Sequence, residues 1–111
     1  MDMIVHISTR DVWESAQDSG DYRTDSLVNE GFIHCSRPEQ VLKVANTYYP
    51  RVDGLVLLWI DPQKLEAELR WEDSDGDVFP HLYGRLNLDA VVFSADFHPG
   101  PDGIFNSIPE P

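Results

Sequence analysis

Cysteine, basic residues and long apolar stretches are all scarce in this chain, and each shortage excludes something. The single Cys35 has no partner within the sequence, so there is no internal disulfide, and a reducing compartment is the expected setting. The longest apolar run, Leu55 to Ile60, is far shorter than the roughly 20 residues a membrane-crossing helix needs. Met1 to Ile7 carries no basic leader, so the expectation is a cytoplasmic protein with no membrane insertion. Eight Lys and Arg stand against 20 Asp and Glu, a net charge of −12. A field of that sign repels phosphate backbones, which argues against non-specific nucleic-acid binding. Neither G-x-G-x-x-G nor G-x-x-x-x-G-K-[ST] occurs, and neither C-x-x-C nor H-x-x-x-H, so these phosphate loops are missing and no metal site is expected.

What is present is an ordinary globular composition. The 111 residues are 41% hydrophobic, enough for one domain with one sheet-and-helix core. Residues 1–97 read as a single α+β domain and residues 98–111 as a proline-rich tail, because Pro99, Pro101, Pro109 and Pro111 break any helix or central strand. Phe105 and Ile108 are the residues able to pin that tail to the body.

Alternation predicts strands over Met3 to Ser8, Gly31 to Ser36, Ala67 to Asp73, Phe79 to Tyr83 and Ala90 to Phe97. Leu55 to Ile60, apolar on both faces, belongs in the middle of a sheet. Helices are predicted over Thr9 to Gln17, stopping near Gly20, and from a capping box at Ser36-Arg37-Pro38-Glu39 to Tyr49. Ser74 to Asp77 is a hairpin turn, and Asp61-Pro62 opens at most two helical turns. Hairpin-linked strands outnumbering helices point to a mostly antiparallel α+β fold with two main helices.

Three of the four histidines lie on predicted strands with a hydroxyl or aromatic group two residues away. His6 shares a face with Ser8, His34 with Phe32 and Ser36, and His81 with Phe79 and Tyr83. Any one of them is more often a buried, hydrogen-bonded residue than a catalyst; the shared pattern points to a common, partly wet cleft. On that reading the opposite faces, with Val5, Ile7, Ile33 and Leu82, are core, and Cys35 and His98 lie outside the pocket. Glu72 ends a strand beside Trp71, where surface exposure and a role near His81 are about equally good accounts. Arg23 suits bidentate contact with an anionic group, or an ordinary pairing with a surface acid.

The order V-H-I-S-T-R, D-Y-R-x-x-S-L-x-x-E-G-F-I-H-C-S, Q-V-x-x-V-A-N, L-V-L-L-x-I-D-P, L-x-W-E, F-P-H-L-Y-G and L-D-A-V-V resembles the small bacterial family known as domain of unknown function 952, over about residues 3 to 95. The resemblance implies a split-barrel α+β fold like that of the ADP-ribosyltransferases, with a cleft for NAD. It carries His6, with Ser8 and Thr9, to the place that holds the dinucleotide, and His34 with Ser36 to the place beside the nicotinamide. The third place, often a glutamate, falls to Glu72 or His81, with Tyr83 helping to shape the nicotinamide pocket. NAD-dependent ADP-ribosyl transfer is therefore the first expectation. A non-catalytic module for a small-molecule nucleotide or nucleotide-derived ligand is the second, since a shared fold does not by itself license an activity.

Overall fold

The computed structural model describes residues 2–111. Six strands form two three-stranded antiparallel sheets. The first has the order β1 (Ile4–Thr9), β3 (Leu55–Ile60), β6 (Val91–Phe97). The second has the order β2 (Ile33–His34), β5 (Asp77–Tyr83), β4 (Glu68–Ser74). Three helices join them: α1 (Arg10–Ser19), α2 (Asp25–Asn29) and α3 (Val41–Tyr48). The architecture is antiparallel α+β, and the sheets do not close into a barrel.

Local chemistry explains most of these boundaries. Thr9 caps α1 by accepting the Val12 N–H, and Gly20 ends the helix in the left-handed conformation that glycine adopts without strain. In the β4–β5 hairpin Ser74 faces Asp77 across Asp75 and Gly76, both at positive φ, the two-residue turn whose twist matches the flanking strands. Leu55 to Ile60 is buried at all six positions because both faces of β3 are covered.

One cluster, with Ile4, Val56, Leu58 and Ile60, fills the space between the first sheet, α1, and Ile33 and Leu82 of the second. The other, with Val5, Leu55, Leu57, Trp59 and Phe97, packs under Val41 and Ala45 of α3. Phe105 is buried in this second cluster, held by paired hydrogen bonds between its backbone and the Asn46 side chain at 2.8 and 3.0 Å. The Trp59 indole N–H donates to the Pro109 carbonyl at 2.8 Å. The proline-rich segment thus roofs the outer face of the first sheet.

Two sequence expectations need correction. Gly31 to Ser36 is not one continuous strand: only Ile33 and His34 pair in the ladder, opposite Leu82 and His81. Cys35 N–H still reaches Pro80, but Ser36 turns to exchange two backbone hydrogen bonds with Val5 of the first sheet. This segment is the seam between the sheets, so neither sheet can use all of it. For the same reason Ser36 does not cap the following helix. The Gln40 side chain accepts the Arg37 N–H at 2.8 Å, Pro38 to Gln40 form a 3-10 turn, and α3 proper begins at Val41.

Candidate functional site

The seam opens into a cleft made of two adjoining cavities that share His34, Ser36, Val44 and Tyr49 as a common wall. The first, about 340 Å³, is bordered by His6, Ser8, Thr9, Tyr22 and Arg23. The second, about 540 Å³, is bordered by Glu30, Tyr48, Asp75, Phe79 and His81. The three strand histidines therefore all border the cleft, but in different compartments and different states.

His6 is locked. Its Nδ1 lies 2.5 Å from the His34 carbonyl and its Nε2 2.7 Å from the Tyr22 hydroxyl. A carbonyl can only accept, so Nδ1 carries the proton and Nε2 accepts from Tyr22. Burial drives the His6 pKa down to about 4, against a partly offsetting pull from the His34 carbonyl. Burial likewise pushes the Tyr22 phenol up. The expectation that His6 sits on a purely chemical face does not hold. That face also carries Ile4, pairs His6 with Leu58 of β3 and packs into the core between the sheets, because the first sheet is covered on both sides. Ile33 and Leu82 are core, as their parity requires, and belong to that same cluster.

His34 and His81 meet directly. They are cross-strand partners with ring centroids 5.5 Å apart. Phe32 stacks on His81 at 4.1 Å between centroids, nearly parallel. His34 is half exposed and its Nε2 pairs with Glu30 at 2.9 Å. His81 is 5% exposed, and its Nδ1 donates to the Glu72 carboxylate at 2.8 Å. The Tyr83 hydroxyl donates to the same oxygen at 2.6 Å, and the Arg70 guanidinium lies 4.2 Å over the Tyr83 ring. Hydrogen bonds from Tyr83 and then His81 hold the Glu72 carboxyl below its ordinary range.

His81 Nε2 has no partner within the protein. Among the described residues no buried side-chain nitrogen or oxygen lacks a hydrogen bond, so this atom must be open to solvent. Glu72 and Tyr83 stand behind His81 rather than on the cleft wall, which makes Glu72 an orienting group.

The remaining expected residues are placed as follows. The buried Ser8 hydroxyl donates to the Thr9 carbonyl, and Thr9 serves the α1 cap. Exposed Arg23 reaches the rim of the first cavity while bound to Asp21 at 3.0 Å. Ser36 contributes through its backbone bridge to Val5. Cys35 borders the second cavity but belongs to the core between the sheets, and burial pushes its thiol up to about 12, so it is no nucleophile. His98 is exposed, away from both cavities. No three His, Cys, Asp or Glu among the described residues are grouped to hold a metal ion. No helix among them is long and apolar enough to cross a membrane.

Several cleft residues were missed from the sequence. Tyr22 lies 16 residues from His6, and only the need of a buried histidine for a partner points to it. Glu30 stands four residues before His34, a spacing that can bring the two side chains together. Tyr48 and Asp75 are 27 residues apart in the chain, and nothing local joins them, yet the Tyr48 hydroxyl donates to the Asp75 carboxylate across the mouth of the second cavity.

No curated protein matches the chain. Among solved structures, the crystal structure of protein CC0527 from Caulobacter crescentus is 34% identical, with a TM-score of 0.84 over 92% of this chain and 91% of that one. The solution structure of CC0527 gives 34% identity and a TM-score of 0.82 over 95% and 92%. The model for the family described as protein of unknown function, DUF952, matches residues 7–94, and the chain belongs to that family.

Proposed function

We propose that the cleft binds NAD and that His81, held by Glu72, promotes transfer of its ADP-ribosyl group. The observation that carries this reading is a buried imidazole with one nitrogen fixed by a carboxylate and the other open beside a cavity. This is the arrangement of an oriented general base. In the reaction, the bond between the ribose carbon and the nicotinamide nitrogen breaks and the electron pair leaves with nicotinamide. The acceptor's lone pair closes on that carbon, and its proton passes to His81 Nε2. His34 and Phe79 flank the second cavity and suit a flat ring, while Arg23 at the first cavity offers a positive charge to an anionic group. The fold reading that accompanies this function is a split ADP-ribosyltransferase-like barrel, supported by two antiparallel sheets meeting at the Val5–Ser36 bridge and parting at the cleft.

One observation favours a non-catalytic nucleotide-binding module instead. His6, in the place the resemblance reserves for holding the dinucleotide, has both nitrogens engaged inside the protein. Two measurements separate the readings. A ligand at 100 times its Kd stabilises the fold by about 2.7 kcal/mol, worth roughly 4–8 °C per kcal/mol at this size. On the enzymatic reading NAD raises Tm and nicotinamide accumulates over hours, with the release abolished in His81→Gln. Stabilisation without release selects the binding module, and no shift with NAD, ADP-ribose or AMP at millimolar concentration rejects both.

A further inference from the structure

We infer that β4 is a self-recognition edge, along which two copies of this chain pair antiparallel about Trp71 and join their second sheets into one. The pairing stands whether or not the cleft binds a nucleotide.

An open strand edge presents unpaired N–H and C=O groups, and proteins blunt such edges by shortening, bulging or covering them. Among the described residues, three of the four edge strands are blunted in these ways. β1 is bridged at Val5 by Ser36, β2 is two residues long, and β6 carries a bulge opposite Trp59 and Ile60. β4 has none of these: its seven residues run in unbroken register along β5, and no strand pairs with its other side. At its middle stands Trp71, 49% exposed, a residue type enriched at the centres of interfaces.

The backbone fixes which residues can pair outward. Ser74 and Asp77 flank the two-residue turn and exchange hydrogen bonds. Alternation then turns Glu68, Arg70, Glu72 and Ser74 toward β5, and Leu69, Trp71 and Asp73 toward the open edge. Pro80 opposite Trp71 fits this pattern, since a proline nitrogen cannot serve a hydrogen-bonded pair. Centred on Trp71, two antiparallel β4 strands overlap along their whole length. Trp71 meets Trp71 of the second copy and Leu69 meets its Asp73, so all three outward-facing residues are used. Arg70 then stands opposite Glu72 of the second copy, twice, in the closely spaced pairs where cross-strand side chains meet. A centre on Arg70 would set arginine against arginine and Glu68 against Glu72, and a centre on Glu72 would set glutamate against glutamate. Charge thus selects one register.

Both partners of that pair have capacity left. His81 and Tyr83 donate to Oε1 of Glu72, which leaves Oε2 to a guanidinium from the second copy. Arg70 is exposed and holds Glu68 on its own strand at 3.0 Å, with further N–H donors to spare. The dimer therefore sets a positive charge from each copy beside the carboxylate that orients His81 in the other.

Interfaces built on a single strand edge are small and associate weakly, so sedimentation equilibrium of the full chain is expected to show monomer at about 10 µM and a growing share of dimer toward about 1 mM. Amide shifts that move with concentration should centre on β4. Arg70→Glu sets glutamate against Glu72, Glu72→Arg sets arginine against Arg70, and each should weaken the dimer at least about tenfold. Mixed together, the two variants place opposite charges across the edge again, and should form a one-to-one heterodimer at least about tenfold tighter than either variant alone. Asp73→Pro removes an outward N–H and no bond to β5, so it should abolish the dimer in a folded chain. Melting curves check that each variant is folded. Monomer throughout the range, a dimer that survives in folded Arg70→Glu or Asp73→Pro, or folded charge variants that do not pair when mixed overturns the inference. Should Glu72→Arg not fold, because it also deprives His81 and Tyr83 of their acceptor, the other two variants decide: loss of the dimer in both supports the pairing, and survival in either overturns it.

Discussion

His6 and His81 have the same surroundings in the sequence and opposite ones in space. Each lies on a strand, each has a hydroxyl-bearing residue two positions on, and each is more than nine-tenths buried. His6 sits in a sheet covered on both sides, opposite Leu58, with a carbonyl and a phenol closing off its two nitrogens. His81 sits in a sheet whose second face is polar, opposite His34 and Arg70, with one nitrogen held and the other open. Burial therefore does not distinguish a histidine whose ring nitrogens are both used by the fold from one that keeps a nitrogen open. The number of ring nitrogens the protein itself uses does.

The largest break in this comparison is expected from removing the imidazoles. His6→Ala strands the buried Tyr22 hydroxyl and the His34 carbonyl and leaves a cavity, at a cost of about 3–5 kcal/mol. The corresponding fall in Tm is upwards of about 12 °C. His81→Ala should lose no more than about half as much, because Glu72 keeps its Tyr83 hydrogen bond. Thermal melts of both variants check the order, and a larger loss for His81 would reverse the assignment.

Acid should act through His6 with nearly as large an effect. Its folded pKa of about 4 lies below the unfolded value of 6.5, so between those values the unfolded chain takes up a proton that the folded one does not. Stability contributed by the neutral imidazole is thus full above pH 6.5 and falls as pH drops toward 4, by about 3 kcal/mol, with no further loss from this group below that. Tm measured from pH 7 to 4 should slope down in the wild type. In His6→Gln it should start lower and run flatter across that window, and an equal slope would assign the effect to other groups.

Tyr22→Phe sharpens the comparison at a smaller scale, since it removes only the donor to His6 Nε2 and leaves that buried nitrogen unsatisfied. A cost of about 1–2 kcal/mol is expected in denaturant unfolding, at an unchanged m-value. Glu72→Gln should have the smallest effect on stability, because the side chain is a third exposed and the neutral amide still accepts from His81 and Tyr83. Its consequence belongs to chemistry: if His81 is a base held by Glu72, nicotinamide release from NAD should fall at least about tenfold while Tm barely moves. Unaltered release in this variant would remove Glu72 from the proposed mechanism.

Much of the local structure was legible because it depends on neighbours in the chain. Thr9 and Gly20 bracket α1, Asp75-Gly76 marks the hairpin, and the six apolar residues of β3 announce a strand covered on both faces. The candidate site was legible only in part. Parity placed His34 and His81 on compatible faces, and β-pairing made them partners. It could not tell that the His6 face would be closed by Tyr22 and α1, nor that Tyr48 and Asp75 would join across the cleft.

By itself, then, the sequence determined antiparallel strands with short capped helices, an acidic composition and a family membership, because periodicity, turn chemistry and charge are properties of residues close together along the chain. Tertiary structure decided which sheet each strand joined, that Ser36 would bridge to Val5 instead of capping α3, and which of the two buried histidines would keep a nitrogen without a protein partner. Those outcomes depend on which groups compete for the same buried donor or acceptor, and the competitors are 16 and 28 residues away from His6 but 9 from His81.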